Sequence, residues 1–299
     1  MNIILTGSIG HIGKPLAEIL VQKGHSVTVI SSNEERTKAI EAIGARAAIG
    51  SIEDPDFLSA TFHGADIVYL METLGNRSNA FFDPHIDIVA ALTRIGSNYK
   101  QAIEQSGVKQ AVHLSSIGAD KGPGLLRFHY NAENILNQLP EDLAIKFMRP
   151  VGFYYNLLAF IQTIKTQGAI ISNYGGDEKR PWVSTQDIAE VIAEEMDSPF
   201  SGRKIRYIAS DEVSANEIAG ILGKAIGNPD LKWVVIPDEQ LLNGLLASGM
   251  NPQTAKSLVE MNAGIRDGDL YKDYYHNRPE LGKIKLVDFA REFATTYNQ

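Results

Sequence analysis

Cysteine is missing from this chain altogether. Its absence excludes disulfides, thiolate nucleophiles, Cys-ligated zinc and iron–sulfur clusters together. Long apolar runs are missing too, each stretch being broken well before the roughly 18 residues that mark a membrane-spanning helix. Basic residues are outnumbered, 28 Lys and Arg against 36 Asp and Glu, leaving a formal charge of -8. That balance argues against broad nucleic-acid or anionic-membrane binding. No leader is readable at the start, where MNIILT already reads as a strand running into a glycine turn, so cytoplasmic residence is the expectation. Internal repeats, low-complexity tracts and flexible linkers are absent from the sequence as well.

What is present is an ordinary globular composition, 44% hydrophobic and 21% charged over 299 residues. Such a chain can bury a sizeable core and divide into about two domains. Ile3–Thr6 reads as a strand, followed by the glycine turn and a helical pattern through Leu16, Ile19 and Leu20 that should stop at Gly24. Further strands are expected at His25–Ile30, Ala45–Ile49, Asp66–Met71, Ala111–Ser115 and Ala144–Met148. Between them lie helical patterns: one capped by Asn33, then Asp56–Phe62, Ile86–Gln105 and Leu125–Gln138. Apolar strands alternating with helices predict an α/β fold, a doubly wound parallel sheet covered on both faces, over residues 1–150.

The pattern changes after Arg149-Pro150. Helices are expected over Phe153–Thr166, Asp187–Met196, Ala215–Ile226, twice within Glu239–Glu260, and from Leu286 to Ala294. Lys204–Ile208 and Lys232–Ile236 read as strands, whereas Asn173–Ser184 is too rich in glycine and charge for buried sheet. Residues 151–299 should form a smaller α+β substrate-side region interleaved with the first.

The strongest local signal is Gly7-x-x-Gly10-x-x-Gly13 between a strand and a helix. Gly7 permits a tight turn, Gly10 the close approach of a phosphate, and Gly13 close packing of the helix on the sheet. The amides of Ser8, Gly10, His11, Ile12 and Gly13, at the helix start, would receive a pyrophosphate. The spacing departs from G-x-G-x-x-G, so its weight rests on its place as the first turn of a βαβ domain. The second strand ends in Ser31-Ser32-Asn33 with no acid at its tip. A carboxylate there would hold the ribose hydroxyls of NAD. Ser31, Ser32 and Asn33 as donors, with Arg36 or Lys14 adding charge, favour NADP, with NAD as the other form. Ser51 and Ile52 should lie beside adenine, and Leu70, Met71 and Ser115 along the crevice, because open sheets bind ligands outside their strand C-termini. Ser115 reads equally well as a turn or cap residue.

The glycine turn, Ser115-Ser116, His129-Tyr130-Asn131-Ala132-Glu133 and Met148-Arg149-Pro150-Val151-Gly152-Phe153-Tyr154-Tyr155-Asn156 together carry a family resemblance. It continues through Trp182-Val183-x-x-x-Asp187-Ile188-Ala189 to Asp288-Phe289-Ala290. The chain resembles the NmrA-like, atypical short-chain dehydrogenase/reductase family, especially its NAD(P)H-dependent quinone-reductase and azoreductase-like branch. The resemblance implies a Rossmann domain holding NADP or NAD, with hydride transfer to a quinone or related planar electrophile. The same family contains dinucleotide-sensing regulators, which is the alternative reading.

Members of the wider superfamily use a Tyr-x-x-x-Lys pair, and here that frame reads His129-x-x-x-Glu133. Tyr130 is one residue out of phase, a rotation of about 100° around the helix. This departure counts against alcohol dehydrogenation. Quinone reduction needs chiefly stacking, orientation and a modest proton source. His129 is the candidate donor and Tyr130 a candidate wall of the acceptor pocket. By the resemblance, Phe153 and Val151 border the nicotinamide and Glu133 stands at the lysine position. Each has a plainer reading, His129 as a hydrogen-bonded structural residue and Phe153-Tyr154-Tyr155 as an anchor of the second region.

Other chemistries find little support. Seven histidines are present, but Met71-Glu72, His85-x-Asp87 and His129-x-x-x-Glu133 make no ligand cluster by spacing, and no metal is expected. Ser115-Ser116 lacks a G-x-S-x-G elbow, and no Gly-Lys-Ser/Thr follows the glycine turn. Gly175–Pro181 reads as a solvated connector. The expected partner is a small planar electrophile, with no nucleic acid and no membrane; monomer and homodimer both stay open.

Overall fold

The computed structural model describes residues 1–75 and 79–299. Its first elements in chain order are β1 (Asn2–Leu5), α1 (Gly13–Gln22), β2 (Ser26–Ser31), α2 (Thr37–Ala42), β3 (Arg46–Ile49), α3 (Pro55–Phe62), β4 (Ile67–Leu70), α4 (Ile88–Ser106), β5 (Gln110–Leu114), α5 (Arg127–Leu136) and β6 (Ala144–Pro150). They are followed by β7 (Gly152–Phe153), α6 (Ile161–Gln167), β8 (Ala169–Ser172), β9 (Arg180–Val183), α7 (Thr185–Asp197), β10 (Arg203–Ile208), β11 (Asp211–Val213), α8 (Ala215–Ala225) and β12 (Lys232–Val235). The chain closes with α9 (Asp238–Ala247), α10 (Pro252–Arg266), α11 (Lys272–His276) and α12 (Leu286–Tyr297).

Two compact units result. The first holds Met1–Gly122, Leu126–Arg149 and Ile188–Arg206; the second holds Pro123–Leu125, Pro150–Asp187 and Tyr207–Gln299. The chain therefore leaves the first unit at Arg149 and returns to it with most of α7 and the start of β10.

The central sheet runs β10-β6-β5-β4-β1-β2-β3. Neighbours from β3 to β6 pair in parallel, with Ile3 opposite both Val27 and Ile67, and Leu70 opposite His113. Strand order reverses between β1 and β4, which makes that junction the place where strand C-termini open outward. Ile4, Ile30, Val68, Leu70, Ala111 and Phe147 share one core with Leu58 and Phe62 of α3, Ile95 and Ile103 of α4, and Leu136 of α5. Burying each large side chain of this kind stabilises by roughly 1.5–3 kcal/mol. Local signals set the ends. Asp54 accepts from the amides of Asp56 and Phe57 at 3.0 and 3.1 Å, with Pro55 opening α3. Asp87 accepts from Ala90 N at 3.0 Å at the start of α4, which stops at the left-handed Gly107.

The second unit carries the three-stranded sheet β11-β9-β7 and the parallel pair β12-β8. Its core gathers Tyr154, Leu157, Trp182, Ile218, Leu222, Trp233, Leu286, Phe289 and Phe293. Asp187 is buried, accepting from Ser210 Oγ at 2.5 Å and from the amides of Lys283 and Ile284 at 3.3 and 3.1 Å. The conspicuous aspartate of the Trp182–Asp187 segment thus straps the approach to α12.

Two sequence expectations are corrected here. Asn173–Ser184 contains β9, the central strand of its sheet, with Pro181, Trp182 and Val183 buried. Arg180 enters because its guanidinium pairs with Glu178 at 2.7 Å and lies 4.9 Å over the Tyr271 ring. Pro181 is tolerated because β7 pairs only with Trp182 and Val183, so no ladder partner on that side asks for its missing N–H. Phe153 was expected to open a helix; it ends β7 opposite Val183, and a 3-10 segment over Tyr154–Phe160 follows before α6.

Candidate functional site

The first turn is built from backbone. Gly7 adopts φ 82° and Ser8 φ 62°, the one non-glycine residue among those described with positive φ. Ser8 N donates to Ile30 O at 3.1 Å, tying the turn to the tip of β2. A Cβ on Gly10 would meet nothing within 4 Å, whereas one on Gly13 would stand 2.0 Å from Ser8 O. The demand at Gly13 therefore comes from the turn's own carbonyl and not, as the spacing suggested, from helix-to-sheet packing. α1 begins behind Ile12 with no side-chain cap and no acidic residue in its first turn. A helix start of this kind carries partial positive charge and amides short of partners, the elements of an anion cradle. His11 is exposed beside it, while the Ile12 side chain is 6% exposed and can contribute only backbone.

Polar side chains close one flank. Ser8 Oγ donates to Ser31 Oγ at 3.1 Å and accepts from Arg36 Nη1 at 3.1 Å. Ser31 is buried, Ser32 exposed, and Asn33 caps the turn Glu34–Arg36 by accepting from Glu35 N. Arg36 is thereby held against the glycine turn at the tip of β2. Lys14, the other candidate cation, pairs at the surface with Glu18 at 3.9 Å. Ser51 and Ile52 leave β3 half-buried, with Ile52 O accepting from Asn98. Met71 supplies the side chain whose Cε would meet a Cβ on Gly7 at 2.1 Å. The Leu70 side chain is fully buried in the core beneath the strand ends, so that this residue, like Ile12, can contribute only backbone.

A second cluster sits at the ends of β4, β5 and β6 under α5. Arg149 grips Glu133 through Nε to Oε1 at 2.9 Å and Nη2 to Oε2 at 2.6 Å, both side chains being buried. Ser115 Oγ donates to the same Oε1 at 2.5 Å. The carboxylate at the lysine position is thus saturated from within the protein, and Ser115 is committed to it. Beside it Glu72 places both carboxylate oxygens 3.0 Å from His113 Nε2, with essentially no exposure on either side chain. Burial alone would push the His113 imidazole down, but the Glu72 carboxylate outweighs it and holds the group above its ordinary value. His129 is held well below its ordinary value by burial and by the charge of His113. Its ring is half-buried against Phe128, centroids 3.9 Å apart, and its Nδ1 has no partner. Tyr130 turns instead toward Arg127, whose guanidinium lies 5.7 Å from its ring.

In the first unit the structure therefore brings together the Gly7–Gly13 turn with Ser31 and Arg36, and separately Ser115, His129 and Glu133. Val151 and Phe153 belong to the second unit. Val151 is buried there and donates its amide to Ile208 O at 3.1 Å. That unit also holds an open cleft lined by Tyr174, Gly175, Arg180, Trp182, Arg266 and Tyr271, so the 175–181 segment contributes to its wall. Sequence reading missed the roles of Arg149, His113 and Glu72. A usable signal existed: each is a charged or titratable residue in or directly after a strand that is apolar on both faces, where a buried charge must find a partner.

The strand order and the glycine-bent first turn define a Rossmann-type α/β protein. The chain belongs to the NmrA-like family, whose model matches residues 1–281. An NAD(P)H azoreductase of Xenophilus azovorans is 24% identical over 262 residues, 87% of this chain and 86% of that protein. Among solved structures, an NADPH-dependent quinone oxidoreductase from Escherichia coli complexed with NADPH superposes with TM-score 0.79 at 19% identity, covering 97% of this chain and 99% of that one. The Citrobacter sp. triphenylmethane reductase complexed with NADP(H) gives TM-score 0.74 at 18% identity, covering 98% and 99%. No helix among the described residues is long and apolar enough to cross a membrane.

Proposed function

We propose that this protein is an NAD(P)H-dependent reductase that passes hydride to a quinone, an azo compound or a related planar electrophile, with NADPH the preferred donor. The carrying observation is the uncapped start of α1 beside an open Gly10, flanked by Arg36 on Ser8. The amides of the Gly7–Gly13 turn receive the pyrophosphate, and Arg36 with Ser8, Ser31 and Ser32 receives the 2′-phosphate. Ser51 and Ile52 border the adenine. The bound reduced dinucleotide supplies the hydride. His129, whose neutral form is favoured by burial and by the charge of His113, hands on to the acceptor a proton that it takes from solvent, and Tyr130 helps shape the space where the acceptor lies. The azoreductase relative, matched over most of both chains, supports the acceptor class.

Calorimetry with NADPH and NADH, followed by reduced-dinucleotide oxidation with quinones, azo dyes and simple carbonyls, tests this reading. The expected result is tighter NADPH binding and turnover on quinones or azo dyes but not on simple carbonyls. Binding of reduced and oxidised forms alike without any turnover would return the protein to the sensing class. No dinucleotide binding would overturn the reading entirely.

A further inference from the structure

The open cleft of the second unit has no part in the reading above. Tyr174 and Tyr271 both line it. Tyr271 is only 4% exposed and Tyr174 is half-buried. The Tyr174 carbonyl accepts from Trp233 Nε1 at 2.6 Å, and the Tyr271 amide donates to Gly268 O at 3.1 Å. Neither phenol hydroxyl, by contrast, has a hydrogen-bond partner among the described residues. A buried tyrosine hydroxyl ordinarily finds one, so this cleft holds two donors short of an acceptor. Burial holds the Tyr174 phenol above its ordinary value, and burial followed by the neighbouring Tyr174 does the same for Tyr271. Both groups therefore keep their protons at neutral pH.

The remaining walls narrow what could supply the acceptor. Trp182 and Val213, each 8% exposed, join Ala215 and Ile265 as an apolar lining. Two arginines also reach the cleft, but each is already paired. Arg180 Nη2 stands 2.7 Å from Glu178 Oε2, and its guanidinium lies 4.9 Å over the Tyr271 ring. Arg266 donates to Asp238 Oδ1 through Nη1 at 2.5 Å and to Asp267 Oδ1 through Nε at 3.1 Å. Three carboxylates thus answer two guanidiniums, and no net positive charge is left to draw an anion. What the cleft leaves unmet is a neutral oxygen carried on an apolar ring. We infer that it is a binding site for a neutral planar aromatic carbonyl compound, whose oxygen accepts from the Tyr174 and Tyr271 hydroxyls and whose ring lies against Trp182. Every residue of this site belongs to the second unit, and the inference concerns binding alone, independent of hydride transfer.

Calorimetry on the full chain without dinucleotide compares 1,4-naphthoquinone with naphthalene, the same rings without the oxygens. The chain has no cysteine for a quinone to alkylate. The quinone is expected to bind at least about tenfold more tightly than the hydrocarbon, as two added hydrogen bonds require. Tyr174→Phe and Tyr271→Phe should each weaken the quinone by about three- to tenfold, the worth of one neutral hydrogen bond, and leave naphthalene within about twofold. Each substitution removes a hydroxyl that bonds to nothing in the protein, so the melting temperature should not fall. No quinone binding, equal affinity for the two probes, or full quinone affinity in the double variant would overturn the inference. A clear drop in melting temperature for either variant would overturn it too, because the hydroxyl would then be holding the fold. With no dinucleotide present, failure here is distinct from failure of the reductase reading, which shows only in dinucleotide binding and turnover.

Discussion

The two polar regions of the first unit are made in opposite ways. The β1–α1 turn is backbone and open: an uncapped helix start, a bare Gly10, and one arginine leaning in from the side. The cluster under α5 is side chain and closed, its carboxylates already occupied by Arg149, Ser115 and His113. Donors left short of partners inside a folded protein mark where something from outside is received, whereas saturated ones mark what holds the fold together. In the closed cluster only the two Nδ1 atoms break that rule.

Breaking the closed cluster should have the largest effect. Arg149→Met leaves Glu133 buried without its cation and should cost about 3–5 kcal/mol, whereas adding Glu133→Gln recovers much of the loss. Denaturant titration of the single and double variants checks this. On the open side, Arg36→Ala should weaken NADPH by about 1.5–3 kcal/mol while NADH affinity holds, as expected for a charge-assisted hydrogen bond. Calorimetry with both dinucleotides measures the split, and equal weakening of the two would place Arg36 outside the phosphate site. Gly13→Ala forces a methyl against Ser8 O and should cost about 1–3 kcal/mol of stability, with dinucleotide affinity falling alongside. Retained affinity in that variant would show the turn to be scaffold only.

The smallest expected effect is on pH dependence, where the two histidines pull against each other. His113 has a raised folded pKa, so its contribution to stability is fully present below the unfolded value of about 6.5 and fades as pH rises through the folded one. His129 has a lowered folded pKa, so its contribution is present above about 6.5 and fades on acidification. Melting temperatures across about pH 5 to 8 should therefore give difference slopes of opposite sign for His113→Gln and His129→Gln. Parallel slopes would mean that one of the two charge states is misassigned.

How much of this was legible in the sequence follows from the same contrast. Strands such as Ile67–Leu70, caps such as Asn33 and stops such as Gly107 are written locally, and the doubly wound sheet followed from their alternation. The glycine turn was readable for that reason, although the role of Gly13 was not, because Ser8 O comes near only once the turn closes. The ion pairs join residues far apart in sequence, Glu72 to His113 and Glu133 to Arg149. No local pattern states such a pairing. β9 was misread because a short partner strand and an aromatic under Arg180 excuse a proline and a charge that would otherwise forbid sheet.

The carboxylate of Glu133 also constrains which substitutions this site can accept. Restoring a Tyr-x-x-x-Lys pair takes His129→Tyr and Glu133→Lys, but a lysine at 133 would face the buried guanidinium of Arg149. Changing Arg149 first strands the carboxylate instead. Either charge change made alone leaves a buried group unpaired, and only a coordinated exchange at both positions avoids it. The buried salt bridge that holds α5 to β6 thereby also fixes the sign of the charge that position 133 can carry.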